Sequence, residues 1–136
     1  MMYRFKFSGF SLIELMVTMA IASLLLALTG GLVIKAVDQQ GALIEQEKVQ
    51  QLFKQLSYDA FYSGHNISLQ TEGHTITINK NELKKNVNFK YLNFSKNEYV
   101  INTNAHVKPG FYEFQLNNGL KKEVFIKPMF QLYEQQ

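Results

Sequence analysis

The sequence predicts an α+β fold, with one long N-terminal helix packed on a C-terminal antiparallel β-sheet or small β-sandwich. Three observations predict it. The first part of the chain holds an uncharged apolar run, the next part repeats apolar residues at helical spacing, and the part after Gly64 consists of short strand-like runs between turn signals. At 136 residues, the chain fits one domain with a short appendage and is too short for a multidomain enzyme.

The apolar run Leu15–Ile34 predicts a membrane-spanning helix. It carries no charge, and at 1.5 Å per residue its length is about 30 Å, the thickness of the hydrocarbon core of a bilayer. The positive charges of Arg4 and Lys6 precede the run, whereas the opposite charges of Lys35 and Asp38 cancel each other just after it. The positive-inside rule therefore predicts a cytoplasmic N-terminus and transfer of the following chain across the membrane.

Glu14 lies within the apolar segment, just before the uncharged run. A cleaved signal peptide ending at Ala22 fits poorly, because it would place this carboxylate in the apolar core of the signal and would split the run. A carboxylate deep in a bilayer costs about 2.5–3.5 kcal/mol on insertion scales. Two interpretations remain open: Glu14 reaches the headgroup boundary, or it pairs with a cation in an assembly.

The residues Gly9-Phe10-Ser11-Leu12-Ile13-Glu14-Leu15 resemble the cleavage and methylation signature of type IV prepilins and type II secretion pseudopilins. That signature joins a basic leader, here with Arg4 and Lys6, to a Gly, an aromatic residue and a Glu at the fifth position of the mature chain. The resemblance implies that a prepilin peptidase cuts between Gly9 and Phe10 and N-methylates Phe10. The new amine could then pair with Glu14 of a neighbouring subunit and fix the axial register of a filament.

The helix is expected to run from Phe10 to Gly64, since no Pro occurs before Pro109. Gly30-Gly31 is a candidate kink when subunits pack, because each Gly weakens a helix by about 1 kcal/mol relative to Ala. The face expected to pack on the sheet is an apolar stripe with helical spacing: Val49, Leu52, Phe53, Leu56 and Ala60.

Short alternating runs after Gly64 predict the strands of the sheet. They are Asn66–Gln70, Thr75–Asn79, Val87–Phe94, Glu98–Asn102, Phe111–Asn117, Lys121–Lys127 and Met129–Tyr133. Turns are expected at Glu72-Gly73, Ser95-Lys96-Asn97, Pro109-Gly110 and Asn117-Asn118-Gly119.

The sequence contains no pattern of catalytic or metal-binding residues. It has no Cys, and His65, His74 and His106 lack the spacing of a zinc site. The acidic residues of the C-terminal part are scattered, unlike those of a calcium loop. We therefore expect no metal, no cofactor and no enzyme activity. DNA contact is a weaker alternative, through Lys84-Lys85 and Lys121-Lys122 beside Tyr91 or Phe125.

The resemblance implies a pilin-like organisation: a cleaved leader at residues 1–9, a membrane half-helix at 10–34, an amphipathic half-helix at 35–64 and a β-rich head at 65–136. The chain looks most like the H-type minor pseudopilins and FimT-like minor pilins, which are structural subunits that initiate or cap a filament. The implied location is the inner membrane, with a single span and a periplasmic head. The implied partners are other subunits, prepilin peptidase, the inner-membrane assembly platform and lipid. A DNA-uptake subunit and an anchored binding module outside any filament remain alternatives.

Overall fold

A computed structural model describes residues 9–129 and confirms the predicted α+β fold. A single long helix, α1 (Leu12–Ser63), precedes the strands. Within the described residues the strands are β1 (Ile67–Gly73), β2 (Thr75–Lys80), β3 (Leu83–Asn88), β4 (Leu92–Ile101), β5 (Val107–Lys108), β6 (Phe111–Leu116) and β7 (Lys121–Phe125). The chain forms two compact units that divide between Val37 and Asp38.

The first unit contains the apolar part of α1. Its apolar side chains are exposed on all sides, and its hydroxyl groups bond to carbonyls of the same helix. Ser23 Oγ, for example, donates to Met19 O at 2.7 Å. This satisfies polar groups internally, as a lipid environment requires. The helix continues through Gly30 and Gly31; a kink there on subunit packing stays a prediction.

Within residues 38–129, the second unit contains one antiparallel sheet, so the described part of the chain forms the predicted sheet and not a sandwich. The strand order is β3-β2-β1-β4-β6-β7, and β5 pairs with the C-terminal part of β4. Every pairing is antiparallel.

The core lies between the second half of α1 and one face of the sheet. The predicted apolar stripe is confirmed: Val49, Phe53, Leu56 and Ala60 are buried, and Leu52 packs at the edge of the core. Phe53 is central, with its ring centroid 5.5 Å from that of Tyr99 and 5.8 Å from that of Tyr112. The buried sheet residues include Ile67, Leu69, Ile76, Leu92, Tyr99, Ile101, Tyr112 and Phe114.

The turn expected at Ser95-Lys96-Asn97 is wrong, because these residues lie inside β4. They form a β-bulge: Thr71 of β1 pairs with Asn97 and Gly73 pairs with Phe94, so β4 holds one extra residue. The buried Thr71 hydroxyl donates to Ser95 O at 2.7 Å. The bulge therefore joins the two runs that the sequence suggested as separate strands.

The strand expected at Val87–Phe94 is also misplaced. The chain pairs over Leu83–Asn88 and again from Leu92, with a break between these strands. A tight turn at Asn81 and Glu82, with φ angles of 45° and 68°, starts β3 earlier than expected and directs it back along β2.

The expected turns at Pro109-Gly110 and Asn117-Asn118-Gly119 are found, and the turn expected at Glu72-Gly73 falls one residue later. The turn at residues 102–106 between β4 and β5 was not expected. Gly119, with φ 83°, closes the β6–β7 hairpin, where Leu116 N–H donates to Leu120 O at 2.9 Å. Pro109 follows a cis peptide bond between β5 and β6. Beyond Met129, the expected strand Met129–Tyr133 lies outside the described residues.

Candidate processing and assembly site at the N-terminus

Ser11 and Glu14 form a capping box at the start of α1. The Ser11 N–H donates to Glu14 Oε2 at 3.1 Å, and the Glu14 N–H donates to Ser11 Oγ at 3.3 Å. The Leu15 N–H donates to Ser11 O at 3.2 Å, which is the first bond of the helix. Ser11 is therefore the N-cap residue, and Glu14 is the third residue of the helix.

The capping box gives Glu14 a role that the sequence analysis missed. Two backbone N–H groups that a helix start leaves unpaired are satisfied reciprocally. The carboxylate also lies at the positive end of the helix dipole. The Ser-x-x-Glu spacing was the signal that could have revealed the cap.

Gly9 and Phe10 lie just outside the helix and are accessible. Both are exposed, and the Phe10 side chain is 77% exposed. A Cβ built on Gly9 would have no heavy atom within 4 Å. The expected cut between these residues thus falls in exposed, non-helical chain. The leader residues Arg4 and Lys6 lie outside the described residues.

The helix that follows is long and apolar enough to cross a membrane. Within the described residues, α1 is the one helix that meets this criterion, and none of its most apolar stretch is buried. Leu26 and Leu32, for example, are each 72% exposed. Apolar surface of this extent requires a lipid or protein partner.

Two of the three histidines lie within hydrogen-bond distance of backbone carbonyl groups. His65 Nδ1 lies 2.7 Å from Ser63 O, and His74 Nδ1 lies 2.7 Å from Leu92 O. No group of three potential metal-binding His, Cys, Asp or Glu residues occurs between Gly9 and Met129. His106 is exposed.

A contact between α1 and the β3–β4 connection was missed by the sequence analysis. The Glu45 carboxylate accepts hydrogen bonds from the N–H groups of Lys90, Tyr91 and Leu92, at 2.7, 2.8 and 3.2 Å. The Tyr91 ring lies against the backbone of Gly41, and Lys90 Nζ is 5.1 Å from the ring centroid. We refer to these contacts together as the Glu45 clamp. No local sequence pattern signals it, because its halves are about 45 residues apart.

Two tyrosines in the core have shifted acidities. Burial raises the pKa of Tyr112 to about 12, although Gln50 beside its hydroxyl opposes the shift. Burial also raises the pKa of Tyr99, and its side-chain hydrogen bonds with Asn97 and Thr71 oppose this shift. Both phenols are therefore neutral well above physiological pH.

Comparison with known protein families identifies a match at the N-terminus of the chain. Residues 4–30 match the family model described as the prokaryotic N-terminal methylation motif. No curated protein and no solved structure matches the chain. The matched range contains Gly9, Phe10 and the Ser11–Glu14 capping box, and it extends into the apolar part of α1. The chain therefore carries the N-terminal methylation motif of type IV pilin-like proteins at the start of an α+β fold with pilin-like architecture.

Proposed function

We propose that the protein is a minor pseudopilin or minor type IV pilin, a structural subunit that helps to initiate or cap a filament. The observation that carries this proposal is the methylation motif at residues 4–30. Within it, Glu14 stands at the fifth position after the expected cut between Gly9 and Phe10. An exposed apolar helix and a β-rich head without a metal or nucleophile motif suit a subunit whose work is assembly.

Processing is the first step of the proposed function. A prepilin peptidase cuts the Gly9–Phe10 bond on the cytoplasmic side, releases the leader with Arg4 and Lys6, and methylates the new Phe10 amine. Exposed backbone at Gly9, with no side chain to obstruct it, supports access by the peptidase. The processed chain stays in the inner membrane with its head in the periplasm.

Assembly is the second step, and it depends on Glu14. In the structure its Oε2 atom accepts the Ser11 N–H. We expect its Oε1 atom to accept from the Phe10 ammonium of a neighbouring subunit, so that one carboxylate caps its own helix and pairs between subunits. Neutralising both groups in an apolar interface favours association in a single register.

The processing step is tested by mass spectrometry of the N-terminus of protein purified from membranes. The mature chain should begin with a methylated Phe10, and Gly9→Glu should keep the leader. Ser8→Ala is the matched control, because it changes the residue next to Gly9 without touching the cut bond, and it should be processed normally. A wild-type protein that retains Met1, or that begins near Ser23, would refute the proposal.

DNA uptake is the second candidate function. Phe125 favours it, because this ring is 73% exposed beside Phe111 and shares a strand face with Lys121. However, Glu113 and Glu123 pair directly on that same face and would repel phosphate. Tyr91 is less suited to base stacking, since its ring lies against Gly41.

Two experiments separate the alternatives. Salt-dependent retention of DNA by the wild-type protein, lost in Phe125→Ala, would favour DNA uptake. Co-sedimentation with sheared filaments separates a filament subunit from an anchored binding module, which should remain in the membrane fraction.

A further inference from the structure

The stretch of α1 from Asp38 to Lys48, here called the clamp segment, lacks an apolar anchor to the sheet. None of its residues is buried, and the first buried residue of α1 is Val49. The positions that turn toward the sheet are partly buried, but they are small or polar: Gly41, Ala42, Glu45 and Gln46. The hydrophobic effect that holds residues 49–60 of α1 on the sheet therefore does not hold the clamp segment.

One side of the clamp segment is not closely packed. An open groove of about 300 Å³ separates it from the β6–β7 hairpin. Leu43 and Leu120 line this groove and remain 57% and 59% exposed. Contact with the hairpin consequently adds little to the attachment of the segment.

The other side is held by the Glu45 clamp. Three consecutive N–H groups of the β3–β4 connection converge on one carboxylate, and hydrogen bonds to a charged acceptor are stronger than neutral ones. Tyr91 adds close contact with Gly41, where the absence of a side chain lets the ring reach the helix backbone.

We propose that the Glu45 clamp is a conformational latch, and that the clamp segment leaves the sheet as a local unit when the latch opens. The core around Phe53 stays folded, because its contacts with Tyr99 and Tyr112 begin beyond the segment. Opening also frees the three N–H groups of the β3–β4 connection. This behaviour follows from the fold of residues 38–129 and is independent of the proposed filament function.

Hydrogen exchange by mass spectrometry on the full chain in detergent tests the latch. In Glu45→Ala, amides of the clamp segment and of Lys90–Leu92 should exchange at least about tenfold faster, since removal of a charged partner weakens every bond that it made. Amides of residues 49–60 should keep their wild-type rates. In Glu45→Gln, which keeps one carbonyl oxygen as an acceptor, the exchange rates of the clamp segment should lie between those of the wild type and those of Glu45→Ala.

Glu47→Ala is the matched control. Glu47 is exposed on the same stretch of helix, so its loss should leave all of these rates unchanged. Faster exchange of residues 49–60 in Glu45→Ala by the same factor, or loss of folding, would overturn the proposal by showing that the clamp belongs to the global core. Unchanged exchange of the clamp segment would overturn it as well.

Discussion

The ring of Tyr91 occupies the space that a side chain at Gly41 would need. A Cβ added to Gly41 would lie 2.7 Å from Cζ of this ring, which is closer than a non-bonded carbon contact allows. The bond from the Tyr91 N–H to Glu45 Oε2 holds the Tyr91 backbone beside the helix. The ring can clear a Cβ at position 41 only by rotating its own side chain, so Gly41 is favoured by packing rather than by a turn.

Gly41→Ala should accordingly destabilise the head, although Ala is the better helix former by about 1 kcal/mol. Overpacking of a close contact costs typically 1–3 kcal/mol, so we expect a lower melting temperature by circular dichroism. Gly31→Ala is the matched control, because a Cβ at Gly31 meets no atom within 4 Å. Equal effects of the two substitutions would contradict the packing role of Gly41.

Phe53→Ala should be the most damaging truncation on the sheet-facing side of α1. The side chain is fully buried between Tyr99 and Tyr112, and loss of a buried Phe costs about 3–5 kcal/mol. Chemical denaturation of the full chain in detergent measures this loss. Leu52→Ala, at the edge of the core, should cost clearly less; the reverse order would show that the buried face is wrongly assigned.

Unfolding at high pH should involve Tyr112. Its pKa rises from 10.0 to about 12 on folding, so between these values the unfolded chain releases a proton that the folded chain retains. Stability should therefore fall with rising pH across this window, by at most roughly 1.4 kcal/mol per pH unit for one phenol. Tyr112→Phe should reduce this pH dependence only in part, because the pKa of Tyr99 is also raised by folding. An unchanged slope would show that Tyr112 does not titrate with unfolding.

The sequence predicted the parts of the fold that have a local pattern. The helix was expected at Phe10–Gly64 and occurs at Leu12–Ser63, because helical spacing and the absence of Pro are visible in any short window. The buried stripe was predicted for the same reason. At the N-terminus, the motif of Gly9, Phe10 and Glu14 was also local, whereas the role of Ser11 was overlooked.

The features that the sequence analysis predicted wrongly or missed depend on contacts between residues far apart in the chain. The residues Ser95-Lys96-Asn97 have the composition of a turn. However, β1 pairs with β4 on both sides of them, and the Thr71 hydroxyl bonds to the carbonyl groups of Ser95 and Asn97. The sequence gives no sign of this partner 24 residues away. The Glu45 clamp was missed for the same reason, since a side-chain carboxylate bonded to remote backbone N–H groups leaves no periodic pattern.

Ser11→Ala separates capping from pairing at the N-terminus. The substitution removes the hydroxyl that accepts the Glu14 N–H but keeps the Glu14 carboxylate. Loss of an N-cap costs about 1 kcal/mol, so the first turn of α1 should fray while pairing between subunits survives. Filament incorporation should therefore decrease only slightly. A defect as large as that of a Glu14 substitution would make the cap, rather than the pair, the basis of assembly.

Glu14→Val tests the pairing itself. Removing the charge makes membrane insertion easier, and Gly9 and Phe10 are unaltered, so processing should remain normal. Each added subunit would nevertheless leave a Phe10 ammonium unpaired in an apolar interface, a defect worth about 3–5 kcal/mol. A carboxylate that only reached the headgroups would contribute little, and its loss would leave assembly intact. The deciding measurement is the fraction of processed protein found in sheared or cross-linked filaments. If processed Glu14→Val were incorporated as well as the wild-type protein, charge pairing would be excluded. The methylation motif and its processing would be unaffected by that result.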